Sequence, residues 1–240
     1  MKYMGSKARI KKEILPLILK DRQPNQFFVD LMSGGMNLID SVDGNRIAND
    51  LNFYLVEMWK ALLNGWNPEP FYSREFYNDV KNNKEKFPSY LVGWLGFVCS
   101  YSGKWFGGFA GYYPENRRSK SGILPSYQTE SSNSIKKQLK KLQGVDIFNK
   151  NYFEVEIPEE SIVYFDPPYK GTTKYFTDFD HEFFYNYVRK LKNEGHQVFV
   201  SEYEMPSDFI CIWEKEVKSS LSANGKIGGS KSSIEKLFTL

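Results

Sequence analysis

The chain has 240 residues, a net charge of +3, 41% hydrophobic residues and 25% charged residues. That is the composition of a globular protein, long enough for one α/β domain with a modest insertion and too short for two large domains. No apolar run approaches the ~20 residues needed to span a bilayer, the start "MKYMGSKARIKKEIL" lacks a secretory pattern, and the two cysteines, Cys99 and Cys211, have no ligand pattern around them, which argues against zinc or disulfides and for a reducing cytoplasm.

In chain order, Ser6 caps a helix through "KARIKKEIL", with Ile10, Ile14 and Leu15 at helical spacing and Pro16 ending or kinking it. "QFFVDLM" reads as a buried strand that carries Asp30 at its end, and the turn Ser33, Gly34, Gly35 lets backbone approach a ligand closely. "RIANDLN" is a second strand ending in Asp50, where a nucleotide-type site places an acid on ribose hydroxyls; a surface acid is the plain alternative. "NFYLVEMWKALLNG" predicts a helix stopped by Gly65. Further strands are expected at "VDIFNKN", "SIVYF", "QVFVSEY", "CIWEKEV" and "EKLFTL", with a helix capped by Asp180 and stopped by Gly195 between the second and third of these. Strands separated by helices argue for a mostly parallel sheet covered on both faces, a Rossmann-like α/β fold.

Residues 66–130 break this rhythm. "GFVCSYSGKWFGGFAGYYPENRR" mixes aromatics with glycines, "SKSGILPSYQTESSN" reads as a loop, and the stretch is expected to be an inserted module, with 1–65 and 131–240 forming the main domain. Residues 66–150 hold 13 Lys and Arg against 7 Asp and Glu, a balance of +6 within a chain of +3. A basic middle suggests contact with a polyanion, a solvated basic surface being the alternative. Lys104, Arg117, Arg118 and Lys120 are the candidates for phosphate or base contacts, and Trp105 and Phe106 are either wedges or core. The helix "IKKQLKKL" is a second basic face, "NGKIGGSKSS" reads as a flexible loop, and His181 and His196 read as structural.

The stretch "YFDPPYKG" carries the chemistry. Pro167 and Pro168 cannot continue a ladder, so the strand stops, and Pro167 restrains Asp166 to an extended conformation. Asp166 and a proline carbonyl form a pair of acceptors for both hydrogens of one exocyclic amino group, and Tyr169 offers a face on which a planar ring stacks, worth about 1 to 3 kcal/mol. Adenine satisfies both demands. An Asp-Pro turn in an ordinary loop is the bland reading.

Four stretches, "KYMGSK", "FVDLMSGGMNL", "IANDLN" and "YFDPPY", occur in an order that resembles the Dam-type, or alpha-group, adenine-N6 DNA methyltransferases from end to end. The resemblance implies a methyltransferase fold that uses S-adenosylmethionine, flips adenine out of double-stranded DNA and methylates it without a metal, in a bacterial or phage-infected cell. By position it implies that Tyr3, Lys7, Asp30, Ser33, Gly34, Gly35, Asp50 and Asp166 bind the cofactor and that Asp166, Pro167, Pro168 and Tyr169 are the catalytic tetrapeptide. The family's Phe-x-Gly-x-Gly is altered here to Met32-Ser33-Gly34-Gly35-Met36. A cytosine-N4 or protein-glutamine methyltransferase usually carries Ser or Asn at the position of Asp166. A DNA-binding protein that has lost the cofactor is a further alternative, and a nicotinamide-dependent enzyme fits worst because no G-x-G-x-x-G follows either strand.

Overall fold

The computed structural model describes residues 1–112, 126–169, 179–218 and 232–240. Arg117, Arg118, Lys120 and most of the expected loop "NGKIGGSKSS" lie outside the described residues.

The chain opens with a single 3-10 turn, Lys7–Arg9, in which Ser6 Oγ accepts from the Ala8 N–H at 3.2 Å, followed by α1, Lys11–Ile18. Pro16 neither starts nor ends α1; the helix runs two residues past it before stopping. Strand β1 is Phe28–Asp30 and β2 is Arg46–Asn49, and between them lies one 3-10 turn, Ile39–Ser41. Helix α2, Phe53–Leu63, is capped by Asn52 Oδ1 accepting from the Leu55 N–H at 3.0 Å and turns off at Gly65. Helix α3 is Arg74–Asn82, and α4, Ser89–Gly93, continues as a π-helical turn over Trp94–Val98.

Helix α5, Tyr127–Leu139, corrects the expected loop: Ser126 Oγ accepts from the N–H groups of Gln128 and Thr129, and this cap starts a helix in the polar run "YQTESSN". The boundary expected at residue 130 therefore falls inside α5. The remaining elements are β3 (Val145–Phe148), β4 (Ile162–Phe165), α6 (His181–Asn193), β5 (Gln197–Ser201), β6 (Ile210–Lys218) and β7 (Ser232–Thr239).

The described strands form one seven-stranded sheet in the order β3-β2-β1-β4-β5-β7-β6, with β7 antiparallel to both its neighbours and the β3-to-β5 pairs parallel. Successive residues of β1 and β4 face opposite layers, as a strand requires. Phe28, Ile162 and Tyr164 join one apolar cluster with α1, α2 and α4, while Val29, Val163 and Phe165 join another with Phe184, Val188 and Leu191 of α6. Both faces of the central strands are covered, and β1, β2 and β4 are buried throughout. Tyr77, Val80, Trp94, Phe97 and Phe106 of the expected insertion belong to the same cluster as Phe28 and Trp59. Among the described residues no helix is long and apolar enough to cross a membrane.

From β1 the chain moves outward to β2 and β3, then returns to place β4 on the other side of β1. The order switches there, and in open α/β sheets ligands bind in the crevice this opens at the strands' carboxyl ends.

Candidate active site

Asp166 is the first residue beyond β4, at the switch point. Burial raises its pKa above the ordinary 3.8, while the adjacent Lys7 ammonium opposes the rise. Lys7, in the amino-terminal 3-10 turn, is itself buried, and its Nζ lies 2.8 Å from Asp166 Oδ1 and 3.6 Å from Oε2 of Glu235 on β7. The same Nζ stands over the Tyr169 ring, 4.6 Å from its centroid. Tyr169 donates its hydroxyl to Glu235 Oε2 at 2.8 Å and meets Tyr203, in the loop after β5, edge to face at 4.4 Å. Pro167 is buried and Pro168 half-buried between these groups. Lys7, Asp166, Tyr169 and Glu235 thus form one polar cluster supplied by the amino-terminal turn, the end of β4 and β7.

The turn after β1 builds the neighbouring wall. The Ser33 N–H and Oγ both donate to the Asn49 carbonyl, at 2.9 and 3.1 Å, which joins the turn to the end of β2. The Gly34 N–H donates to Asp50 Oδ2 at 2.8 Å, and Asp50 Oδ1 accepts from the Asn52 N–H at 2.8 Å. Asp50 is therefore not a plain surface acid: burial raises its pKa and these two amides lower it again.

Tyr3 lies against the same turn. A Cβ on Gly34 would sit 2.6 Å from Tyr3 Cε1, and one on Gly35 would sit 2.7 Å from both Tyr3 Cβ and Asn37 Nδ2. The turn is held from below by Trp59, whose Nε1 donates to the Gly34 carbonyl at 3.3 Å, and by Gln138, whose Nε2 donates to the Gly35 and Met36 carbonyls at 3.0 Å each. Met36, where the resembling family has its last glycine, keeps a left-handed φ of 54° and is buried. A methionine in that left-handed conformation carries a strain of about 1–2 kcal/mol.

Asp30 ends β1 fully buried, and its Oδ1 has no hydrogen-bond partner among the described residues. Burial, reinforced by nearby Asp166, pushes its pKa well above the ordinary 3.8.

The structure thus brings together Tyr3, Lys7, Asp30, Ser33, Gly34, Gly35, Asp50 and the tetrapeptide Asp166 to Tyr169. Lys104 is exposed, and Phe106 is buried while Trp105 stacks on Tyr54 at 5.5 Å, so both aromatics are core. Sequence reading missed Glu235, Tyr203, Trp59 and Gln138, whose roles come from tertiary contacts that no local spacing encodes. An open hollow lined by Asp43, Arg46, Lys140 and Gln143 lies at the amino ends of β2 and β3, away from this cluster.

The sheet is thus mostly parallel and seven-stranded, with one reversed strand, helices on both faces and acids at its switch point. The chain belongs to the D12 class N6 adenine-specific DNA methyltransferase family, whose model matches residues 3–90 and 107–212, in agreement with the resemblance carried by the four stretches. It is 25% identical over 211 residues to the type II methyltransferase M.FokI of Planomicrobium okeanokoites, a match that covers 74% of this chain and 30% of that protein. Among solved structures, a candidate methyltransferase, yhhF, from Escherichia coli is 10% identical with a TM-score of 0.36, over 96% of this chain and 85% of that one. A candidate methylase from Haemophilus influenzae is 9% identical with a TM-score of 0.35, over 96% of this chain and 88% of that one.

Proposed function

We propose that this chain methylates the exocyclic amino group of adenine in double-stranded DNA, with S-adenosylmethionine as methyl donor. The observation that carries the reading is the pairing of Asp166 with Tyr169 at the switch point: an amino-group donor already occupies that position, since Lys7 Nζ is hydrogen-bonded to Asp166 and lies over the Tyr169 ring.

The residues fit a cationic nucleoside cofactor. Asp30 keeps a buried carboxyl oxygen with no partner among the described residues, Asp50 presents a carboxylate beside the turn, and the glycine turn packs under Tyr3 on the same wall. Asp50 would hold the ribose hydroxyls, and Tyr3, Lys7, Asp30, Ser33, Gly34 and Gly35 the rest of the molecule. When bound, S-adenosylmethionine supplies an electrophilic methyl group on a sulfonium leaving group.

The chain's own part is placement and electrostatics. Asp166 and the Pro167 carbonyl accept the two amino hydrogens and turn the nitrogen lone pair toward the methyl carbon, at ~3 to 3.5 Å in a productive pose. The Asp166 carboxylate also opposes the positive charge that develops on that nitrogen, from a half-buried position. Tyr169 stacks on the base, which offsets part of the few kcal/mol needed to flip it out of the duplex. Lys104 and, outside the described residues, Arg117, Arg118 and Lys120 contact the phosphates, so that residues 66–130 serve as the DNA-recognition part.

The test is transfer of labelled methyl to unmethylated duplex DNA, followed by nucleoside mass spectrometry and sequencing of the methylated bases. N6-methyladenine at a defined sequence is expected. Label on cytosine, on protein or nowhere would discard the reading.

A further inference from the structure

The Lys7 ammonium holds two places that the proposed reaction assigns to the target adenine: it lies 2.8 Å from Asp166 Oδ1, which is to accept from the amino group, and 4.6 Å from the centroid of the Tyr169 ring, on which the base is to stack. Ammonium and base cannot hold them together, so the cation has to move when the adenine enters. A lysine buried to 8% exposure does not leave for an apolar wall, because a buried charge without a counter-charge is strongly unfavourable. It moves to another anion. Glu235 is that anion: its Oε2 is 3.6 Å from Lys7 Nζ in the present arrangement, and its side chain is 17% exposed.

Two features fit Glu235 for this task. It accepts the Tyr169 hydroxyl at 2.8 Å, so the group that would draw Lys7 aside also anchors the ring that must stay clear for the base. Its cross-strand neighbour, Lys215, pairs with Glu13 instead, which among the described residues leaves Glu235 to Lys7 and Tyr169. Glu235 also lies beyond the 3–90 and 107–212 matched by the family model.

We propose that Glu235 is a positioning residue: it receives the Lys7 ammonium when the target adenine takes Asp166, and it fixes Tyr169 in place while that exchange happens. This rests on the adenine-methylating reading. The exchange moves a cation between two carboxylates that stay within reach of it, so Asp166 keeps a neighbouring positive charge throughout. No covalent bond changes.

The experiment is steady-state methyl transfer to unmethylated plasmid DNA by the wild type, E235Q, E235D, K7M and K7M/E235Q, with S-adenosylmethionine affinity measured by calorimetry. In E235Q the side-chain amide can still accept from Tyr169 but no longer attracts Lys7, which then competes for Asp166. The KM for DNA is expected to rise roughly tenfold or more, the scale of one lost charge-assisted hydrogen bond, while cofactor affinity moves less than about threefold. E235D should recover part of the loss, and in the K7M background E235Q should add less than about twofold, since nothing is left to draw aside.

Wild-type kinetics for E235Q, or an equal loss with and without Lys7, overturns the proposal. If thermal melting shows E235Q to be unfolded, E235D with and without Lys7 carries the same comparison. A wild type that methylates no adenine would instead sink the functional reading on which the proposal rests.

Discussion

The Gly34 N–H donates to Asp50 Oδ2 at 2.8 Å, fastening the turn after β1 to the acid after β2, and the other oxygen of the same carboxylate caps the start of the α2 segment through the Asn52 N–H. Asp50 therefore shapes the proposed cofactor wall as well as contacting it. Asp50→Ala is expected to weaken S-adenosylmethionine binding at least several-fold in a calorimetric titration. It should also lower stability by roughly 1.5–3 kcal/mol in urea, since hydrogen bonds to a charged group are lost. A stability loss with unchanged affinity would remove Asp50 from the cofactor site and leave it as a structural brace.

Asp166→Ala should abolish methyl transfer while S-adenosylmethionine still binds, because the carboxylate chiefly serves the amino group. The variant leaves Lys7 beside Glu235, so the cation is not stranded and the fold should survive. Turnover like that of the wild type would sink the catalytic assignment.

The contact of Tyr3 with Gly34 can be read from coupling. Gly34→Ala places a Cβ 2.6 Å from a Tyr3 ring carbon at a backbone φ of +47°, so it combines a clash, of about 1–3 kcal/mol, with a left-handed strain of about 1–2 kcal/mol. Tyr3→Ala removes the ring and with it the clash. In urea unfolding the double variant should be less destabilised than the sum of the singles by at least about 0.5 kcal/mol. Strict additivity would mean that the ring does not set the turn.

Much of this was legible in the sequence because the signals are local. Stop and cap signals marked α2 and α6, with Gly65 just past α2 and Asp180 accepting as the N-cap of α6, and the double proline marked the end of β4 because it removes backbone donors. Of the two outcomes open for Pro16, ending the helix is ruled out, since α1 runs on to Ile18. One expectation failed for a physical reason: the polar run after Ser126 folded as a helix because its cap outweighed its loop-like composition. Glu235 was illegible: its role depends on β7 turning back antiparallel between β5 and β6 to bring it to Lys7 and Tyr169, an approach between opposite ends of the chain that no spacing rule reaches.

The proposed DNA footprint has a salt signature. Neutralising Arg117 and Arg118 together should weaken binding to specific and random duplexes alike. It should also flatten the slope of log affinity against log salt by about 0.9 per lost phosphate contact, with cofactor affinity unchanged. A base-reading arginine would instead cost about 1–3 kcal/mol on the preferred site alone. Binding that follows the wild type across the salt range would move the footprint elsewhere, with the lysines of α5 next to be tested.

Asp30 predicts how stability responds to pH. Its folded pKa lies well above the ordinary 3.8, with burial as the first cause and Asp166 the second. A carboxyl that holds its proton more tightly when folded adds stability below the unfolded pKa, and that stability is lost as pH rises toward the folded value. In the unfolded chain Asp30 ionises freely above 3.8, while in the fold it must stay neutral or ionise in a buried site beside another acid. Asp30→Asn carries no such proton. The melting temperature of the variant relative to the wild type should therefore climb as pH rises above the ordinary 3.8, by at most about 1.4 kcal/mol of relative stability per pH unit. The measurement is made without cofactor, since the same substitution should weaken S-adenosylmethionine binding if the unpartnered Oδ1 faces the ligand. A gap between the two melting curves that stays constant as pH rises would show that Asp30 is already ionised in the folded protein.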